Sequence, residues 1–409
     1  MRRSRVSITL DRFLFAGDYF GNKNEMEIPM QIDPDKVYLA RTPIDSAEAP
    51  FETYRELAYR TLAALEVELP AEGTVLVKPN ATVLYPPEKR VITHPGFVGG
   101  LLDALIEHGV DASSLVVADG QSGENEEAGH SWEKCGYRAM VDERGVRLEE
   151  LNTDEDSRVV EVADGQVFER YPIYHEVTDC AFFLNAPLAK CHNLGCTTLS
   201  IKNLMGIVAK PERHLCVIQE VDQGFTEEEL YRVTETGYSL FEDRFYHKLC
   251  DLLVALRGLQ IPRISVVDGL IGRDGTAFNE GDNYPLGWSV AGVNEVHVDA
   301  VATYLMGLDP LETPYLQFAR DRGLGTIDIH EIEVVDLANS ATLAADALAQ
   351  LRPAEVLMPV ARLRQKDGQA GYYKRFRADG SAVPWQLDKV NDQRRADGLE
   401  PISYELVDA

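Results

Sequence analysis

Positive charge is scarce in this chain: 40 Lys and Arg stand against 67 Asp and Glu, a formal net charge of −27 over 409 residues. Nucleic acids and anionic membrane surfaces are held by clustered Lys and Arg, so the balance speaks against both as partners. Long apolar runs are missing as well. No stretch approaches the ~18 uncharged apolar residues that mark a membrane helix. The N-terminal segment MRRSRVSITLDRFLF is broken by Asp11 and Arg12 before an apolar core of signal-peptide length accumulates. Cysteine is sparse: Cys135, Cys180, Cys191, Cys196, Cys216 and Cys250 form no CxxC pair. That spacing speaks against a built-in four-iron cluster and makes free thiols in a cytoplasmic protein the default expectation. The signatures GxxxxGK[ST], GxGxxG, GxSxG and HExxH are all absent. Ordinary P-loop, nicotinamide, serine-hydrolase and zinc-protease chemistry is thereby disfavoured.

Against this acidic background, one window runs the other way. Lys190 to His214, KCHNLGCTTLSIKNLMGIVAKPERH, holds Lys190, Lys202, Lys210 and Arg213 against Glu212 alone, together with His192, His214, Cys191 and Cys196. A local positive field in a negative protein gathers small anions at one place and repels them elsewhere. His and Lys also supply acid/base, nucleophilic and ligand chemistry near neutral pH. His192 lies ten residues before Lys202 and His214 twelve after it. Between His192 and Lys202 the small and hydroxylated run from Gly195 to Ser200 is of a kind that forms anion-holding turns. Ile201 and Leu204 flank Lys202 with apolar surface, which lowers a lysine pKa and suits a base or nucleophile. The same lysine serves equally as a simple anion ligand.

The rest of the chain alternates strand and helix patterns. Strands are expected at 74–77, 114–118, 146–151, 181–185, 264–267, 287–291 and 332–335. Helices are expected at 52–68, 97–109, 132–143, 241–256, 296–306 and 315–322, with a hairpin over 159–173. The expected fold is α/β: a mostly parallel, Rossmann-like layered sheet with helices on both faces. Residues 1–50 read as an N-terminal extension, 51–340 as the core with a division into two lobes near 180–260, and 341–409 as a C-terminal appendage. Ligands of such sheets sit beyond the carboxyl ends of the strands. Polar residues fall at those ends: Lys78 and Asn80, Asp119 with Ser122, and Lys190. Asn203 and Arg213 join them from the basic window. Asp268, between glycines in VVDGLIGRDG, is a candidate metal ligand or a tight-turn residue, and His192 and His214 are the candidate metal ligands beside it.

The strings VLVKPN, THPGFVGGLLDALIEHG, VVADGQSG, LSIKNLMGIV, ISVVDGLIGRDG and PLGWSVAGVNEVHVDAVATYLMGLDP resemble the family catalogued as domain of unknown function 362, over roughly residues 73–336. Some members of that family are fused to ferredoxin-like clusters, which implies metal or redox biology and a ferredoxin-like partner. This chain lacks the cluster cysteines. More remotely, the order of strand, helix, polar turn, His and then Lys is similar to the lactate racemase family. That likeness implies Lys202 as the anchor of a covalent nickel pincer nucleotide, His192 as acid/base and His214 as metal ligand. The chain departs from that pattern, with CTTLSI before the lysine.

Three functions follow as expectations. The first is an enzyme acting on a small anionic metabolite, a carboxylate or phosphate ester, by racemisation, isomerisation or elimination. His192, Lys202 and His214 would be catalytic, and a divalent metal (nickel, iron or zinc) is a candidate cofactor. The second is a redox accessory protein, and the third a non-catalytic anion-binding module. A homo-oligomer is compatible with all three.

Overall fold

The computed structural model describes residues 30–121, 130–151, 156–209, 214–216, 220–277, 280–363 and 371–407. Its centre is an 11-stranded sheet. In chain order the strands are β1 (Lys36–Arg41), β2 (Val75–Pro79), β3 (Leu115–Asp119), β4 (Arg147–Glu150), β5 (Phe182–Ala186), β6 (Leu188–His192), β7 (Cys196–Thr198), β8 (Arg263–Arg273), β9 (Asn283–Gly292), β10 (Glu333–Asp336) and β11 (Ala341–Leu343). They lie in the order β11-β10-β1-β9-β8-β5-β2-β3-β4, with β6 paired to β8 and β7. The run β8-β5-β2-β3-β4 is wholly parallel. Strand β9 is antiparallel to both β8 and β1.

Successive side chains of a strand point to opposite faces, and here each face has its own core. Val37 and Leu39 of β1 pack into one apolar cluster, Tyr38 and Ala40 into the other. The helices divide accordingly. Helices α1 (Phe51–Ala63), α2 (Pro95–Glu107) and α3 (Tyr137–Asp142) supply Leu57, Leu101 and Met140 to the second cluster. On the opposite face lie α4 (Ser200–Asn203), α5 (Leu240–Gly258), α6 (Glu295–Leu305) and α7 (Pro314–Asp321). They bring Ile201, Phe245, Val298 and Leu316 to the first. This is the layered, Rossmann-like α/β architecture expected. The start of α2 carries its signals locally: Pro95 sits in the first turn, and the His94 ring accepts from Gly96 N at 3.1 Å. Helix α5 opens with a complete capping box, Ser239 and Glu242.

Three expectations change. Part of the assumed N-terminal extension is a central strand: β1, from within residues 1–50, pairs with β9 and β10. The division into two lobes does not appear among the described residues, because β5, at the start of that span, and β8, just beyond its end, are hydrogen-bonded neighbours in one sheet. In the C-terminal part, strands Val360–Arg362, Tyr372–Lys374 and Leu406–Val407 form a small sheet beside the helix Leu387–Ala396. Among the described residues no helix is long and apolar enough to cross a membrane.

Candidate functional site

From β2 the chain steps one way to β3 and β4, and then returns to the other side of β2 with β5 and β8. The order therefore reverses between β2 and β5, where the carboxyl ends open a crevice. Lys78 and Asn185 lie side by side there in register. The crevice holds a pocket lined by Lys78, Asn80, Asp119, Lys190, His192, Lys202 and Asn203, with Thr82, Thr198 and Gly206 among the residues that complete it. Its internal volume is about 60 Å³. Roughly 10–15 Å³ of such space holds one water, so the crevice accommodates a few water-sized groups, the scale of an anionic head group.

At its floor, Lys78 Nζ pairs with Asp119 Oδ1 at 2.7 Å, both side chains almost fully buried. The second carboxylate oxygen accepts from Ala81 N at 2.6 Å. Lys78 Nζ also donates to Pro79 O at 3.1 Å and to Asn203 Oδ1 at 3.3 Å. Asn203 Nδ2 donates to Asn185 Oδ1 at 2.7 Å, which ties α4 to the end of β5. Gly206 lies against this group. A Cβ there would collide with Asp119 Oδ1 and come within 2.9 Å of Lys78 Nζ. Gly206→Ala is therefore expected to displace the ion pair and destabilise the protein by about 1–3 kcal/mol; a denaturation midpoint unchanged from wild type would show the contact to be slack.

The wall is cationic. Lys190 Nζ donates to Val91 O at 2.7 Å and is 2 % exposed. Burial, assisted by the neighbouring Lys202 and Arg273 charges, brings its pKa down to about 7. Lys202 is only partly buried, with its stem against Gly195. Burial lowers its pKa too, and no hydrogen bond or ion pair holds its ammonium among the described residues. His192 Nδ1 accepts from Leu194 N and Gly195 N, both at 3.0 Å. The ring proton consequently sits on Nε2, and burial beside Lys202 and Lys190 holds the imidazole neutral, its pKa well below the usual range. His192 thus offers a neutral N–H donor. Thr198 Oγ1 and Asn80 Oδ1 are buried polar atoms of the lining with no hydrogen-bond partner among the described residues, which a ligand can supply.

Seven of the sequence candidates meet in this pocket: Lys78, Asn80, Asp119, Lys190, His192, Lys202 and Asn203. Ser122 and Arg213 lie outside the described residues. His214 is described but does not line the pocket. Asp268 is corrected. Its strand runs on to Arg273 rather than ending at a turn, which puts Asp268 in the interior. There its carboxylate accepts from His94 N at 3.0 Å and Leu270 N at 3.4 Å, and burial raises its pKa to about 7. The turn before Lys202 is corrected as well. The amides of Ser200 and Ile201 do not face a ligand but donate to the buried Asp299 carboxylate at 2.6 and 3.0 Å. Asp299, itself held by Tyr315 Oη at 3.1 Å, fixes the start of the short helix that carries Lys202. Sequence gave no local signal for it, since Asp299 sits on α6, almost a hundred residues away.

The donor set does not suit a metal cation. The lining contributes three lysines and a single carboxylate already committed to Lys78. Among the described residues no group of three His, Cys, Asp or Glu side chains is placed to hold a metal. No curated protein matches the chain in a sequence search. A family model described as Domain of unknown function (DUF362) matches residues 75–304. That span covers more than half of the sequence and takes in every residue of the pocket, so the chain belongs to this family.

Proposed function

We propose that the pocket binds the anionic head of a small carboxylate or phosphorylated metabolite and moves a proton on it, an isomerase- or lyase-type reaction in a cytoplasmic protein. The observation that carries this reading is the convergence of Lys78, Lys190, Lys202 and the neutral His192 on a small crevice whose one carboxylate is internally neutralised. Lys202, with its ammonium uncommitted among the described residues, takes the anion. His192 Nε2–H donates to an oxygen on which charge develops. Lys190, poised near neutrality by burial, carries the proton. A neutral amine at Lys190 retains a lone pair to accept a proton while still donating to Val91 O.

Two measurements test this. Inorganic phosphate and a panel of small hydroxy- and keto-carboxylates should raise the melting temperature of the wild type. At a hundred times Kd the linkage is worth about 2.7 kcal/mol, and Lys202→Met should abolish the shift. Ligands that bind should then exchange a carbon-bound proton for deuterium in heavy water, followed by NMR. Binding without exchange would favour a non-catalytic anion sensor, and no binding by any anion would refute the reading.

A further inference from the structure

Outside the family match, the C-terminal segment sends one side chain into the support of the pocket. Arg375 follows the strand Tyr372–Lys374 and is fully buried. Its Nη2 donates to Leu194 O at 3.3 Å, to Glu242 Oε1 at 3.2 Å and to Tyr246 Oη at 3.4 Å, and lies 3.9 Å from Cys196 Sγ. Tyr246 Oη also donates to Leu194 O, at 3.2 Å. The same peptide segment that receives these bonds at the Leu194 carbonyl gives its Leu194 and Gly195 amides to His192 Nδ1. The turn is not a relaxed one, since Cys196 adopts a left-handed φ of 63° without being glycine.

We infer that Arg375 is a positioning residue: by gripping the Leu194 carbonyl it fixes the 193–196 turn, and through that turn the Nε2–H form and orientation of His192. This rests on the reading of the pocket as an anion site, but it reaches beyond the family's own span to the C-terminal segment. A purely stabilising role accounts poorly for the arrangement. Arg375 Nε and Nη1 are buried with no hydrogen-bond partner among the described residues. A buried ion pair left so incompletely satisfied is commonly matched or bettered in stability by apolar replacements. Glu242 meanwhile is held independently of the guanidinium: Ser239 Oγ of its own helix cap donates to Oε2 and Trp385 N of the C-terminal segment to Oε1, each at 2.8 Å. The carboxylate is therefore a fixed post against which the guanidinium is braced.

The test uses the full chain labelled with nitrogen-15 histidine. Long-range imidazole couplings report which ring nitrogen carries the proton, and His192→Asn assigns the His192 signal. The Arg375→Met, Glu242→Gln double variant removes both charges of the pair while Gln keeps the helix cap. In the wild type His192 should appear as the Nε2–H form alone. In the double variant the Nδ1–H form should appear beside it, and inorganic phosphate should bind roughly threefold to tenfold more weakly, the worth of one hydrogen bond. Arg375→Lys keeps the charge but not the reach, and it should show the same mixture if the double variant does not fold. A single Nε2–H signal in whichever folded variant is measured would overturn the inference, even if stability falls. Absence of phosphate binding by the wild type would instead refute the anion-site reading and leave the tautomer result standing.

Discussion

Asp119→Ala is expected to destabilise the protein by ~3–5 kcal/mol, the cost of leaving a buried ammonium without its counter-charge. Among the described residues Lys78 Nζ also donates to the neutral oxygens of Pro79 and Asn203, and its side chain is 1 % exposed. The same substitution strips Ala81 N and Gly120 N of the carboxylate oxygens they donate to at 2.6 and 2.8 Å. Chemical denaturation followed by circular dichroism checks the magnitude. Adding Lys78→Met to Asp119→Ala should recover part of the loss, because the orphaned charge goes with it. If the two single losses simply added, the pair would not be acting as a unit.

Lys190→Met should lower turnover on an identified substrate by about 10²–10⁴-fold, the usual scale for removing a positioned acid or base. The pH dependence carries a defined sign. The Lys190 pKa falls from its ordinary 10.5 to about 7 in the folded protein. Between those values the unfolded chain holds the proton and the folded one does not, so this residue makes stability rise with pH from about 7 towards 10.5. Anion binding has the opposite dependence. It favours charged Lys190, so affinity should fall as pH rises through about 7, by up to tenfold per unit, with proton uptake from the buffer at pH 7–8. Calorimetry in buffers of differing ionisation enthalpy measures that uptake directly. Asp268 and Asp299, raised to about 7 by burial, pull stability downward as pH rises from about 4 to 7. Affinity is therefore a cleaner readout of Lys190 than stability. An affinity flat across pH 6–9 would remove Lys190 from the chemistry.

The sequence announced the pocket better than it announced the frame around it. Lys78, Asp119 and Lys190 were legible because strand patterns are local and ligands gather where parallel strands stop. Asp268 misled for the same reason. A strand read as ending at Val267 continues six residues further, paired with β6, and neither glycine in GLIGR breaks it. The strand Lys36–Arg41 was hidden in a stretch punctuated by Pro and Asp, since six residues of mixed charge and apolarity give weak periodicity. His214 sits in the basic window by sequence yet outside the pocket lining, because charge density along a chain does not say which way the chain turns. Asp299, Glu242 and Arg375 were beyond reach for a simpler reason: each acts on the pocket from a distant part of the chain, and a single sequence carries no signal for pairing across that distance.

The seating of three lysines, two of them fully buried, inside so acidic a protein has a kinetic consequence. With a net charge of −27, an incoming anion meets long-range repulsion before it reaches the crevice, and that repulsion is what dissolved ions screen. The Debye length shrinks from about 30 Å at 0.01 M to about 8 Å at physiological ionic strength. Contacts at Lys190 and Lys78, 2 % and 1 % exposed, are screened far less. Added salt therefore speeds the arrival of the anion and leaves its departure nearly unchanged, the reverse of what is seen when a cationic surface steers an anion home.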